Sequence, residues 1–240
     1  MNSQEMEEMR KDAEELCGII SKKMGLGRRV KMEHNSKYGY AFTNNNNDGY
    51  SIINIPLLQG KNYEELGNDI AHELAHVDMY TKLPEEIKQH LIIGDDCCTV
   101  NYIGFHMLDE YNAYKNAEQY YHINQSSVSA YEVNIQNYFL RDFPKQTRYP
   151  RSLFLDWFDA IPKVYFYRNK KFMGCHEAFI INLNKYIDIM ENTNESTLKW
   201  EEYNELFHCA AEAIYYNIQK EIKQSFYEKT QKILNDSTSL

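Results

Sequence analysis

The chain has 240 residues, 43% of them hydrophobic and 25% charged, with a net charge of −9. That composition supports a globular core and excludes wholesale disorder. The acidic balance disfavours nucleic acid as the main partner, because such binding needs a basic surface to displace counterions.

Met1–Met24 reads as an amphipathic helix with Leu16, Ile19, Ile20 and Met24 on one face, ended by Gly25 and Gly27. Arg29–His34, Tyr38–Thr43 and Tyr50–Ile55 are short, partly alternating runs that predict three strands of a small antiparallel sheet. Between the last two, Asn44–Gly49 (NNNNDG) predicts a turn, since Asn, Asp and Gly tolerate left-handed backbone angles. Tyr63–Lys82 predicts a long helix, Pro84–Ile93 a short one closed by Gly94, and Val100–Tyr121 another long one. Further on, Ser129–Leu140, Phe172–Met190 and Leu198–Leu234 read as helices, and Pro144, Pro150 and Pro162 punctuate a loop-rich middle. The aromatic residues Trp157, Phe158, Trp200, Tyr215 and Tyr216 of this second half read as core. The expected class is α+β: a small sheet and helices over 1–125, then a mainly helical extension over 126–240 packed on it.

The N-terminus is acidic and lacks the layout of a signal peptide. The apolar run Ile52–Leu58 is interrupted by Asn54 and Pro56, far short of a membrane span. Cys17, Cys97, Cys98, Cys175 and Cys209 form an odd set without metal-site spacing, and are read as reduced thiols of a cytoplasmic protein. No membrane partner is expected, and oligomeric state is not encoded in any pattern found.

The chemistry lies in Ala71–His76 (AHELAH). Residues i and i+4 project from one side of a helix, so His72 and His76 can aim two imidazoles at one ion. Glu73 sits one step round, where a carboxylate reaches a water on that ion without ligating it. Leu66, Ile70, Leu74 and Val77 fall on the opposite side, giving the helix an apolar back and a polar front. An open catalytic zinc site needs a third protein ligand. Val77, Asp78, Met79 and Tyr80 follow His76, so the HExxHxxGxxH pattern is absent and a later carboxylate is required. Glu110, 34 residues after His76, is the candidate, with Ala113 and Ala117 on its helical face to allow close approach of two helices. Asp109, pointing 100° aside, is a rival, as are Glu118 and His106.

Three strands, then HELAH, then a glutamate in an E-x-x-A helix resemble the gluzincin metallopeptidases, and most closely the ImmA/IrrE-type domain, over about residues 29–121. The resemblance implies a zincin-like fold and a Zn2+-dependent peptidase acting on a peptide or protein substrate. By it, His72, His76 and Glu110 are the metal ligands and Glu73 is the general base. An extended substrate would pair with an edge strand, supplied by Tyr50–Ile55 or Tyr38–Thr43. Two departures stand out. Larger gluzincins often carry Asp four residues after the glutamate ligand to orient a histidine; this chain has Tyr114 there. ImmA/IrrE-type proteins often accompany a helix-turn-helix module, and no such basic module is visible. Asp78, His122, His176 and His208 are the other polar candidates for supporting roles, the last three as oxyanion donors. Two alternatives compete: a deformylase-like hydrolase using Cys97 or Cys98, and a non-catalytic metal-binding sensor or interaction module on the same fold.

Overall fold

The computed structural model describes residues 3–38, 40–47, 49–58, 62–92, 100–122, 128–130, 132–133, 160–169, 177–199, 201–202 and 205. The chain forms two compact units, Met1–Pro84 with Asp109–Ser127, and Glu85–Leu108 with Val128–Leu240.

The first unit opens with α1 (Ser3–Met24), which buries Met9, Ala13, Cys17 and Ile20 at helical spacing. Ile19, expected on that face, is exposed, because the buried stripe runs one position round from it. Gly25 ends the helix at φ +67°, and the Leu26 N–H donates back to the Ser21 carbonyl, a C-terminal closure that needs a left-handed residue.

The sheet holds β1 (Arg29–Glu33), β2 (Phe42–Asn47) and β3 (Tyr50–Asn54), in the order β1-β3-β2. It is mixed, which corrects the antiparallel expectation: β3 pairs antiparallel with β2 but parallel with β1. The most apolar strand, YSIIN, takes the centre, where neighbours on both edges cover its backbone; the polar FTNNNN lies at an edge. β2 reverses direction relative to β1, the hairpin reverses it again, and β3 inserts between them. A second correction concerns NNNNDG. Asn44–Asn47 belong to β2, with an irregular register between Asn44 and Asn47, and the left-handed residue of the connection is Gly49 at φ +75°. The expected strand over Tyr38–Thr43 is correspondingly displaced: Ser36–Tyr38 is a 3-10 turn.

Helix α2 (Tyr63–Lys82) has the expected bounds. Asn62 accepts from the Glu65 N–H while the Glu65 carboxylate accepts from the Asn62 N–H, a reciprocal cap that satisfies two orphan donors. Leu66, Ile70, Leu74 and Val77 are buried in one cluster with α1, Ile53 of β3 and Ile55 just beyond it. Gly67 marks a close approach: a Cβ there would lie 2.3 Å from a Tyr121 ring carbon.

Helix α3 is Glu85–Ile92 and α4 is Val100–Ala117; α4 begins in the second unit and enters the first at Asp109. Beyond it, the second unit has α5 (Ala160–Arg168) and α6 (Glu177–Asn192). Its core includes Ile161, Val164, Leu183, Tyr186 and Ile187, and the Tyr186 hydroxyl accepts from the Leu108 N–H at 3.1 Å. Pro162 does not break structure as expected but is buried in the first turn of α5, where a helix has no use for the missing N–H. Most of the predicted helices Leu198–Leu234 and Ser129–Leu140, and Pro144, Pro150, Trp157, Phe158, Trp200, Tyr215 and Tyr216, lie outside the described residues. Among the described residues, no helix is long and apolar enough to cross a membrane.

Candidate metal centre

The apolar back of α2 fixes its rotation, so its polar front faces α4 and the edge strand β2. One donor atom from each of His72, His76 and Glu110 lies within 4.8 Å of the others. The two histidines meet through Nε2, 3.1 Å apart. Glu110 offers one oxygen to each: Oε2 lies 3.2 Å from His72 Nε2 and Oε1 lies 3.4 Å from His76 Nε2. Two imidazole nitrogens this close either share a proton or both turn lone pairs to a cation. A tetrahedral site with bonds of about 2.0–2.1 Å has ligand–ligand edges of about 3.3–3.4 Å, so the donors fit a small ion. The three residues form a group that can hold a metal.

The electrostatics agree with a cation at this point. Burial opposes the charge on Glu110, but His76 and His72 outweigh it and hold the carboxyl well below the usual carboxylate range. Burial likewise opposes the imidazolium of His76, but Asp109 and Glu110 prevail and raise its pKa well above the usual value. The carboxylates of Asp109 and Glu110 thus favour a positive charge on His76 even without an ion.

Glu73 is buried beside this group. Its Oε2 accepts from the Thr43 hydroxyl of β2 at 2.7 Å, and the same hydroxyl lies 3.0 Å from the Glu73 carbonyl. Burial pushes the Glu73 carboxyl above its ordinary pKa; His76, His72 and the Thr43 hydroxyl pull it back only in part. The result is a stronger base than a solvated carboxylate.

Sequence reasoning missed two contacts. Asp109, expected to point aside and kept only as a rival ligand to Glu110, lies with Oδ2 3.0 Å from His76 Nδ1, against the back of the ring whose Nε2 faces the centre. Thr43 was not recognised at all; the signal was strand parity, since Thr43 pairs with the fully buried Ile53 and shares the face that covers α2. Tyr114 puts its ring against His72, centroids 4.4 Å apart and planes at 38°.

The other candidates are elsewhere. Asp78 pairs with Lys82, and Glu118 pairs with the exposed His122 at 2.6 Å. His106 is buried within the second unit. His176, His208, Cys97, Cys98, Cys175 and Cys209 lie outside the described residues. β3, one of the two strands expected to offer a free edge, is the central strand, so its backbone is covered and β2 is the edge beside the centre. No family model, curated protein or solved structure matches the chain.

Proposed function

We propose that the chain is a zinc-dependent peptidase of the gluzincin type, most similar in its motifs to the ImmA/IrrE-type domain. The observation that carries this reading is the convergence of His72 Nε2, His76 Nε2 and the Glu110 carboxylate, with the buried Glu73 on the next residue of the same helix. Two imidazoles and one carboxylate, with no fourth donor grouped with them among the described residues, are the donor set of hydrolytic zinc rather than of a closed structural site.

When bound, zinc supplies a Lewis acid that acidifies a water and polarises a carbonyl. The residues of the chain do the rest. Glu73, made more basic by burial, takes the proton of the attacking water and delivers it to the departing amine. Thr43 fixes the Glu73 carboxylate through its hydroxyl. An extended peptide or protein substrate lies along the outer edge of β2, the strand that carries Thr43. A cytoplasmic setting goes with this reading, and the buried Cys17 is a free thiol.

The test is Glu73→Gln, which conserves size but cannot accept the water proton. Elemental analysis should find one zinc per chain in wild type and variant, and a peptide-library cleavage assay should find turnover in wild type alone. Equal turnover by both removes Glu73 as the base. Zinc without turnover in the wild type points to a metal-binding sensor instead.

A further inference from the structure

The two histidines are supported unequally. An imidazole that offers the Nε2 lone pair to a metal carries its proton on Nδ1. For His76 that nitrogen faces Asp109 Oδ2 at 3.0 Å. Both Nδ1 atoms are buried without an aligned hydrogen bond, and among the described residues no carboxylate ion-pairs with that of His72. A histidine ring turns easily about its last torsion, which has broad, roughly two-fold preferences. A turn of the His72 ring would carry Nε2 away from the other donors, and no described hydrogen bond at Nδ1 opposes it.

What does oppose it is contact with the ring itself. Tyr114 lies four residues after Glu110 on α4, so it projects on the same side of that helix, one turn on. Its ring lies over His72 at 4.4 Å between centroids, tilted by 38°. From the other direction, His76 meets His72 edge to face at 4.6 Å and 88°. Ala113 and Ala117, both buried, keep α4 free of bulk between these contacts. We propose that Tyr114 is a positioning residue that holds the His72 ring by stacking, in place of a carboxylate such as the one that flanks His76. The inference rests on reading His72, His76 and Glu110 as a metal site, and it assigns to the aromatic ring a task that a carboxylate performs for His76.

Stacking and hydrogen bonding leave different signatures. The full-length chain, stripped of metal, is titrated with Zn2+ against a chromophoric chelator. Tyr114→Leu should weaken zinc binding about three- to tenfold, the range of an aromatic pair contact. Tyr114→Phe keeps the ring and should stay within about twofold of wild type. Both variants should melt with the wild type when metal-free, which a merely structural role of the ring would not allow. With Co2+ as the probe, the ligand-field bands should shift in Tyr114→Leu and not in Tyr114→Phe. A Tyr114→Leu variant with wild-type affinity overturns the proposal; so does a Tyr114→Phe variant as weak as Tyr114→Leu, which would transfer the role to the hydroxyl. Should Tyr114→Leu fail to fold, the wild type alone decides: the His72 Hε1 resonance must show the ring-current displacement of a stacked tyrosine, and its absence overturns the contact. If wild-type zinc binding is unaffected by His72→Ala and His76→Ala, the metal reading itself fails, a result separate from all of these.

Discussion

Replacing Glu110 with Gln removes one charge from the centre while conserving volume. The wild-type carboxylate is buried and lies 3.2 and 3.4 Å from the two Nε2 atoms. Four-ligand zinc sites bind with about 10–16 kcal/mol, so one ligand carries about 3–4 kcal/mol, a factor of about 10²–10³ in affinity. The loss can be read through stability. At a free zinc concentration 100-fold above the wild-type Kd, zinc stabilises the wild type by about 2.7 kcal/mol. A variant with 100-fold weaker binding gains only about 0.4 kcal/mol at the same concentration. At about 2–4 °C per kcal/mol, the zinc-induced rise in melting temperature should be about 5–10 °C for wild type and about 1 °C for Glu110→Gln. Thermal melts with and without zinc, alongside chelator competition, measure it. An equal zinc-induced rise in both proteins would refute Glu110 as a ligand.

Zinc binding should release protons. His76 keeps its proton well above the usual imidazole pKa in the metal-free protein, and a metal must displace it from Nε2. About one proton should therefore leave per zinc at pH 7, and affinity should weaken about tenfold per pH unit as pH falls while His76 is protonated; titration calorimetry in two buffers of unlike ionisation enthalpy counts the protons, and a count of zero contradicts the argument. Gly67→Ala should destabilise the fold by about 1 kcal/mol, the net of an overpacking cost of about 1–3 kcal/mol and a helix-propensity gain of about 1 kcal/mol, because its Cβ would meet the Tyr121 ring at 2.3 Å. In a Tyr121→Ala background the same substitution should instead stabilise, and denaturant unfolding of the four proteins checks both signs.

The parts of this molecule that local pattern dictates were legible in the sequence. The bounds of α2 follow from Asn62 before it and Pro84 beyond it, and its rotation follows from Leu66, Ile70, Leu74 and Val77. With the rotation known, so is the front that carries His72 and His76. Glu110 could be proposed because Ala113 and Ala117 share its face. Strand order was not legible: an Arg29–Glu33 strand looks the same whether its neighbour runs parallel or antiparallel, and only the placement of β3 between β1 and β2 decides. Nor did NNNN reveal that it belongs to a strand, since Asn is depleted in strands and favoured in turns, and only its pairing with β3 overrides that local preference. Asp109 and Thr43 escaped for a related reason. Each meets its partner across the fold rather than along one helix face, and a residue type alone names no partner at that range.

The path of the chain around the centre would give a bound metal a mechanical meaning. The two histidines belong to one helix and need no long-range closure. Glu110 is 34 residues further on. Between them the chain leaves the first unit after Pro84, contributes Glu85–Leu108 to the second, and returns at Asp109, one residue before the ligand. An ion held by His72, His76 and Glu110 would therefore be a crosslink that clasps the returning strand of chain at its point of re-entry. A covalent bridge closing a loop of this length restricts the unfolded chain by about 3–4 kcal/mol. Loss of such an ion would therefore release that constraint on the unfolded chain as well as remove the chemistry.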